Sequence, residues 1–325
     1  MVYPSAGSMN TLHIVDGEST GGTLKQSGVA RAKNILGWRD ALYTGPVPAG
    51  LTLRQLSRLR SRFWTKGRKS DAFLKRDATL AKLEHYDEVA LWFGPGCALC
   101  HLSLAQILSW LSEHRISAKR LSWVAVHGGM LRPDQMPKAH ESGTPITAKL
   151  MQLNKRFWRD FRRPSPVGLV QMLRTDLNEI SGLRDAVGWL LQEYPSRRNG
   201  LSRLQNELLR EIRRLGSAKA ARAVGWVIAR DWVGDSLLFD MLRSFVTAKY
   251  PLLKFAEPYA GRLESWKFNG ATLALTDIGR RVLANKEDVI ALNGIDRWIG
   301  GVHLLGHQVR WRWDDKARTL VRTKL

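Results

Sequence analysis

The residues best placed to do chemistry come early. Residues 12–15 read as a short buried strand, followed by Asp16-Gly17-Glu18-Ser19-Thr20-Gly21-Gly22, a polar turn that opens a helix. In open α/β sheets, ligands sit beyond the carboxyl ends of such strands, and a helix N-terminus there offers unpaired N–H groups to an anion. Asp16, Gly17, Glu18 and Ser19 are therefore expected to line a small-molecule site. Arg39 and Asp40 follow a second predicted strand, 34–38, and are expected at the same edge. A phosphorylated small molecule or a nucleotide is the ligand class this edge suggests. An Arg–Asp pair beside a loop also has a plainer use, as a structural salt bridge.

A second group is Cys97-Ala98-Leu99-Cys100-His101, after a predicted strand at 87–93. The pattern has the form of a haem attachment site, which requires an exported chain. A Cys-x-x-Cys at a strand-to-helix turn also has the form of a redox pair, but the order of elements expected around such a pair is missing. As a zinc site it supplies two of four ligands, with His101 and His127 as the available helpers. The two cysteines read most simply as structural, and no metal is assigned. Gly17-Glu18-Ser19 resembles the nucleophile block of some esterases. A nucleophile without its base is not a triad, and the late histidines, His303 and His307, fall in a predicted hairpin.

Charge is the other signal. The 325 residues include 51 Lys+Arg against 29 Asp+Glu, a formal net charge of +22, and such a field attracts polyanions, nucleic acid first among them. Arg54, Arg58 and Arg62 recur every four residues and share one helix face, Lys66 extends the run, and Phe63 and Trp64 are interleaved. Arg310 and Arg312 alternate with Trp311 and Trp313 on a predicted strand, so the two arginines are expected on one face. These six basic residues are the candidate phosphate contacts. The plain alternative for each group is a solvated basic face above an aromatic core.

Strands near 12–15, 34–38, 87–93 and 121–126, separated by helical periodicity at 22–28, 51–83 and 102–111, predict a Rossmann-like parallel sheet over 9–140. Residues 141–235 are expected to be mainly helical. Residues 236–325 are expected to form a winged-helix-like unit: a helix at 236–248, strands at 263–268 and 271–275, a Thr276-capped helix, and a hairpin pairing 298–304 with 309–313. No apolar run is long enough to span a bilayer, and residues 1–8 lack the features of a signal peptide, so the expectation is a cytoplasmic protein without membrane partners.

The chain resembles a functionally unassigned bacterial domain-of-unknown-function family. The resemblance rests on His13-Ile14-Val15-Asp16-Gly17-Glu18-Ser19, Trp38-Arg39-Asp40, Gly45-Pro46-Val47-Pro48 and Leu91-Trp92-Phe93. In the tail it rests on Leu275-Thr276-Asp277-x-Gly279-Arg280, Asn293-Gly294-Ile295-Asp296-Arg297-Trp298 and Gly300-Gly301-Val302-His303-Leu304. It supports the architecture and assigns no cofactor. Glu18 stands where the family carries Asp, and the segment 94–101 replaces an acidic, His-containing one; that replacement favours binding over catalysis. Function is thus expected to be nucleic-acid binding, with a small-molecule enzyme or sensor and a protein-interaction scaffold as the alternatives.

Overall fold

The computed structural model describes residues 10–114, 120–126, 131–259, 261, 268 and 270–323. The chain divides into two compact units, one of residues 1–187 with Gly300–Val302, the other of Gly188–Ile299 with His303–Leu325.

The first unit runs β1 (Thr11–Val15), α1 (Glu18–Gln26), β2 (Ile35–Gly37), α2 (Leu53–Thr65), α3 (Ala72–Leu80), β3 (Glu88–Trp92), α4 (Ala98–Glu113), β4 (Arg120–Val124), α5 (Met136–Glu141), β5 (Thr144–Pro145), α6 (Ala148–Arg162) and α7 (Val167–Met172), and ends within α8 (Leu183–Gln192). The sheet has the order β2-β1-β3-β4-β5; the first four strands are parallel and β5 is antiparallel to β4. Every residue of β1 and β3 is buried, as strands covered on both faces must be. Val15, Ala90, Trp92 and Val124 pack with Leu24 of α1 and Met136 of α5 on one face. Leu12, Ile14, Val89 and Leu91 alternate to the other. α4 is buried almost all round and packs along α6.

From β1 the chain goes to β2 on one side, then returns to β3 on the other. The topological switch point therefore lies between β1 and β3, the position at which open α/β sheets place their ligands.

Two local expectations shift. The first helix begins at Glu18 rather than residue 22, because Gly17 adopts an extended conformation and serves as its N-cap. The first unit continues past residue 140 to Val187, because α6 covers α4 and cannot be separated from the sheet domain.

The second unit contains the end of α8, then α9 (Arg203–Arg214), β6 (Ser217–Lys219), α10 (Ala220–Asp231), α11 (Asp235–Thr247), β7 (Leu253–Phe255), β8 (Thr272–Leu275), α12 (Asp277–Leu283), α13 (Val289–Asn293), β9 (Ile295–Ile299), β10 (Val302–Gly306), β11 (Trp311–Asp314) and β12 (Thr319–Arg322). α9 is amphipathic: Leu204, Leu208, Leu209 and Ile212 are buried, and Ser202 with Gln205 closes a capping box. β6, β8 and β7 form an antiparallel sheet in that order. Thr276 caps α12 as expected, its Oγ1 accepting from Gly279 N at 3.0 Å. The expected hairpin of 298–304 with 309–313 does not form. The first run contains a turn of its own, where Gly300 takes a φ of +60°, so β9 pairs with β10 and β11 pairs with β12. Of the strand expected at 263–268, residues 263–267 lie outside the described residues.

Candidate functional site

Parallel pairing of Val15 with Gly37 brings the ends of β1 and β2 to one edge. There Arg39 Nη1 meets Glu18 Oε1 at 2.5 Å, with both side chains mostly exposed. Such a pair contributes little stability. Asp16 Oδ1 accepts from Thr20 Oγ1 at 2.8 Å, and its Oδ2 accepts from the Cys100 thiol at 3.6 Å. Ser19 is exposed in the first turn of α1 and does not cap it. Asp16 and Glu18 already complement the positive end of α1, and their charge opposes a phosphoryl group.

Asp40 follows Arg39 but its side chain is taken up elsewhere. Its side chain is 1% exposed, and the Arg60 guanidinium grips it: Nε lies 3.0 Å from both carboxylate oxygens and Nη2 lies 2.6 Å from Oδ1. Trp64 Nε1 donates to the same Oδ1 at 2.9 Å, and Arg60 also donates to the carbonyls of Thr44 and Ala41. The expected ligand contact is therefore an anchor that fastens α2 to the loop after β2. Gly45 is part of the fit: it has a φ of +73°, and a Cβ there would come within 2.6 Å of the Phe63 ring. Arg60 carries only a faint signal in the sequence, as an arginine four residues after Leu56 on the apolar side of an amphipathic helix.

With Leu56, Ser57, Arg60 and Ser61 turned inward, α2 turns Arg54, Arg58 and Arg62 outward. All three are exposed, and none has an ion-pair partner among the described residues. Successive members are one turn apart, about 6 Å along the axis. Lys66 is exposed at the helix end, in the left-handed conformation with φ +51°, and Arg68 and Lys69 follow it on the surface. Phe63 is 39% exposed, its ring packed against Arg60 and Trp64 rather than along the row. Thr52 and Gln55 form a capping box that fixes where the helix starts.

In the second unit Arg310 is exposed, but Arg312 is not a free cation. Its Nη1 lies 2.5 Å from Asp288 Oδ2 and 3.2 Å from the Ser196 carbonyl, with 12% of the side chain exposed. The alternation across β11 places Trp313 in the core as expected, yet the opposite face of that strand is covered as well, so Arg312 is spent on an internal ion pair. His303 stacks on Trp298 at 4.3 Å and pairs with Asp296 at 2.7 Å. A cavity of about 340 Å³ in this unit is lined by Arg198, Arg203, Arg210, Asn199, Asn206 and Trp313; Arg203 is held by Asp231 and Arg210 by Glu207.

The thiol pair sits where β3 passes into α4. Cys97 is the N-cap, its Sγ accepting from Cys100 N at 3.3 Å. Hydrogen bonding between the two cysteines pulls the Cys97 thiol below its ordinary range and, with burial, pushes the Cys100 thiol well up. His101 is fully enclosed; burial pulls it down to about 4, so its neutral Nε2–H donates to the Pro95 carbonyl at 2.9 Å. Gly182 backs this loop at a φ of +77°, where a Cβ would lie 1.8 Å from that carbonyl oxygen. No cluster of three or more His, Cys, Asp or Glu side chains suited to a metal occurs among the described residues, and His127 lies outside them. No described helix is long and apolar enough to cross a membrane.

No protein-family model matches this chain, and no curated protein matches it.

Proposed function

We propose that the protein binds nucleic acid through phosphate contacts made by the exposed face of α2. The observation that carries this reading is the row Arg54, Arg58 and Arg62, exposed one turn apart without carboxylate partners among the described residues, in a chain of net charge +22. An arginine that packs or pairs internally is accounted for by stability, as Arg60 and Arg312 are. Three that do neither are accounted for by a polyanion outside the molecule. Phosphate contacts position a protein without reading sequence, so this binding is sequence-tolerant.

The same proposal gives residues 203–283 of the second unit a winged-helix arrangement, earlier in the chain than the 236–325 expected. Its support is the succession α9, β6, α10, α11, β7, β8, with the strand order β6-β8-β7. In helix-turn-helix proteins the second helix of the motif enters the major groove. Here that helix is α11, which carries Asp235 and Asp240, the latter paired with Arg243. It is poorly charged for phosphate, so the electrostatic contacts belong to α2.

Replacing Arg54, Arg58 and Arg62 together by Ala tests the reading by fluorescence anisotropy on random duplex and single-stranded oligonucleotides. The expected result is a loss of affinity of at least about tenfold, alike for all sequences, with thermal unfolding unchanged. Unchanged affinity in a folded triple variant contradicts it.

A further inference from the structure

We propose that Cys97 and Cys100 form a dithiol–disulfide exchange site for small organic disulfides, in which Cys97 attacks, Cys100 resolves and Asp16 takes the resolving proton. This goes beyond nucleic-acid binding and rests on different residues.

The location is the first argument. Asp16 follows β1 and Cys97 follows β3, and hydrogen bonds join Asp16 to Cys100 and Cys100 to Cys97, so the three residues meet at the switch point of the sheet, the position where α/β folds place ligands. The division of labour is the second. Cys97 is half-buried and next to the exposed Gly96, while Cys100 is buried. Only the first is offered to solvent. Its sulfur accepts the Cys100 amide at the N-terminus of α4, where the helix dipole and the free N–H groups stabilise a thiolate. Cys100 keeps its proton and points it at Asp16 Oδ2, while Thr20 holds Oδ1 and so fixes the carboxylate. Two cysteines serving only to fill space need neither the sulfur cap nor the carboxylate.

The exchange balances without a further reagent. The Cys97 thiolate attacks one sulfur of the small disulfide, forming a mixed disulfide and releasing the other half as a thiolate. Cys100 then loses its proton to Asp16 and attacks Cys97 Sγ. The Cys97–Cys100 bond forms, and the second half leaves as a thiolate. Two electrons pass from the protein dithiol to the small disulfide, which ends as two thiols once protonated.

The test uses the full chain with glutathione disulfide as the probe, read by intact-mass spectrometry. The unmutated protein is expected to lose two hydrogens and keep no adduct. Cys100→Ser is expected to trap one glutathionyl group on Cys97, and Cys97→Ser to take up none. Asp16→Asn is expected to prolong the mixed disulfide at least about tenfold, because the resolving thiol has lost its proton acceptor. Iodoacetamide on the unmutated, reduced protein needs no substitution: Cys97 should be alkylated at least about tenfold faster than Cys100 at neutral pH. Failure of the unmutated protein to form the internal disulfide overturns the site. A glutathionyl group on Cys100 in Cys97→Ser, or equal alkylation of the two thiols, overturns the assigned roles. An unchanged lifetime of the mixed disulfide in a folded Asp16→Asn removes Asp16 from the scheme.

Discussion

Asp40 and Arg60 form a buried ion pair whose loss should be felt throughout the first unit. A carboxylate that is 1% exposed is tolerable only because Arg60 and Trp64 satisfy it. Asp40→Ala leaves the guanidinium without its counter-charge, at an expected cost of about 3–5 kcal/mol in urea unfolding. A loss below about 1 kcal/mol contradicts the anchoring role. Two buried histidines make stability depend on pH. His13, which accepts from Trp92 Nε1 at 3.1 Å, is pulled to about 4 by burial and by neighbouring His140, and His101 to about 4 by burial. Both are neutral in the folded state at pH values where the unfolded chain binds a proton. Their contribution is complete above the unfolded value of 6.5 and is lost as pH falls from 6.5 towards 4, at about 3 kcal/mol each. A melting temperature that stays level across that window contradicts this. None of these partnerships was legible in the sequence, because Asp40 and Arg60 are 20 residues apart and His13 and Trp92 are 79 apart.

At the scale of elements, periodicity made most of the first unit legible. The runs at 12–15 and 87–93 are continuously apolar enough to read as buried parallel strands, and β1 and β3 are so placed. The start of α1 was missed because its cap is a glycine in extended conformation, which carries no side-chain signal. β7 was missed because its three residues follow a proline and gain their partner only from β8, about 20 residues on. For α2, the capping box gives a direct prediction. Thr52→Ala should cost about 1 kcal/mol by loss of the bond to Gln55 N. It should weaken oligonucleotide binding far less than the arginine substitutions, because the buried face still holds the helix. Equal weakening by Thr52→Ala would mean that helix order, rather than arginine charge, carries the binding. Of the three candidate surfaces in the sequence, the sheet edge has Asp40 buried against Arg60 and the tail has Arg312 held by Asp288; the α2 face kept Arg54, Arg58, Arg62 and Lys66 exposed. Four-residue spacing made that face legible; the tail failed because strand alternation says nothing of what covers the second side.

For the whole molecule, charge is the property that any account of function must explain. A net charge of +22 opposes compaction through self-repulsion and draws in polyanions at long range. Internal pairing uses part of it, in the buried Arg60–Asp40 pair and in the partly covered Arg203–Asp231 and Arg312–Asp288 pairs. The row on α2 is outside that use, and the account stands on it. The most direct test is the salt dependence of binding, measured on duplex DNA for the unmutated protein and for the triple Arg54→Ala, Arg58→Ala, Arg62→Ala variant. Each phosphate neutralised adds about −0.9 to the slope of log K against log salt concentration, so the variant's slope should be shallower by about 2.7. Equal slopes for the two proteins, or no binding by the folded unmutated protein at low salt, would contradict the central claim.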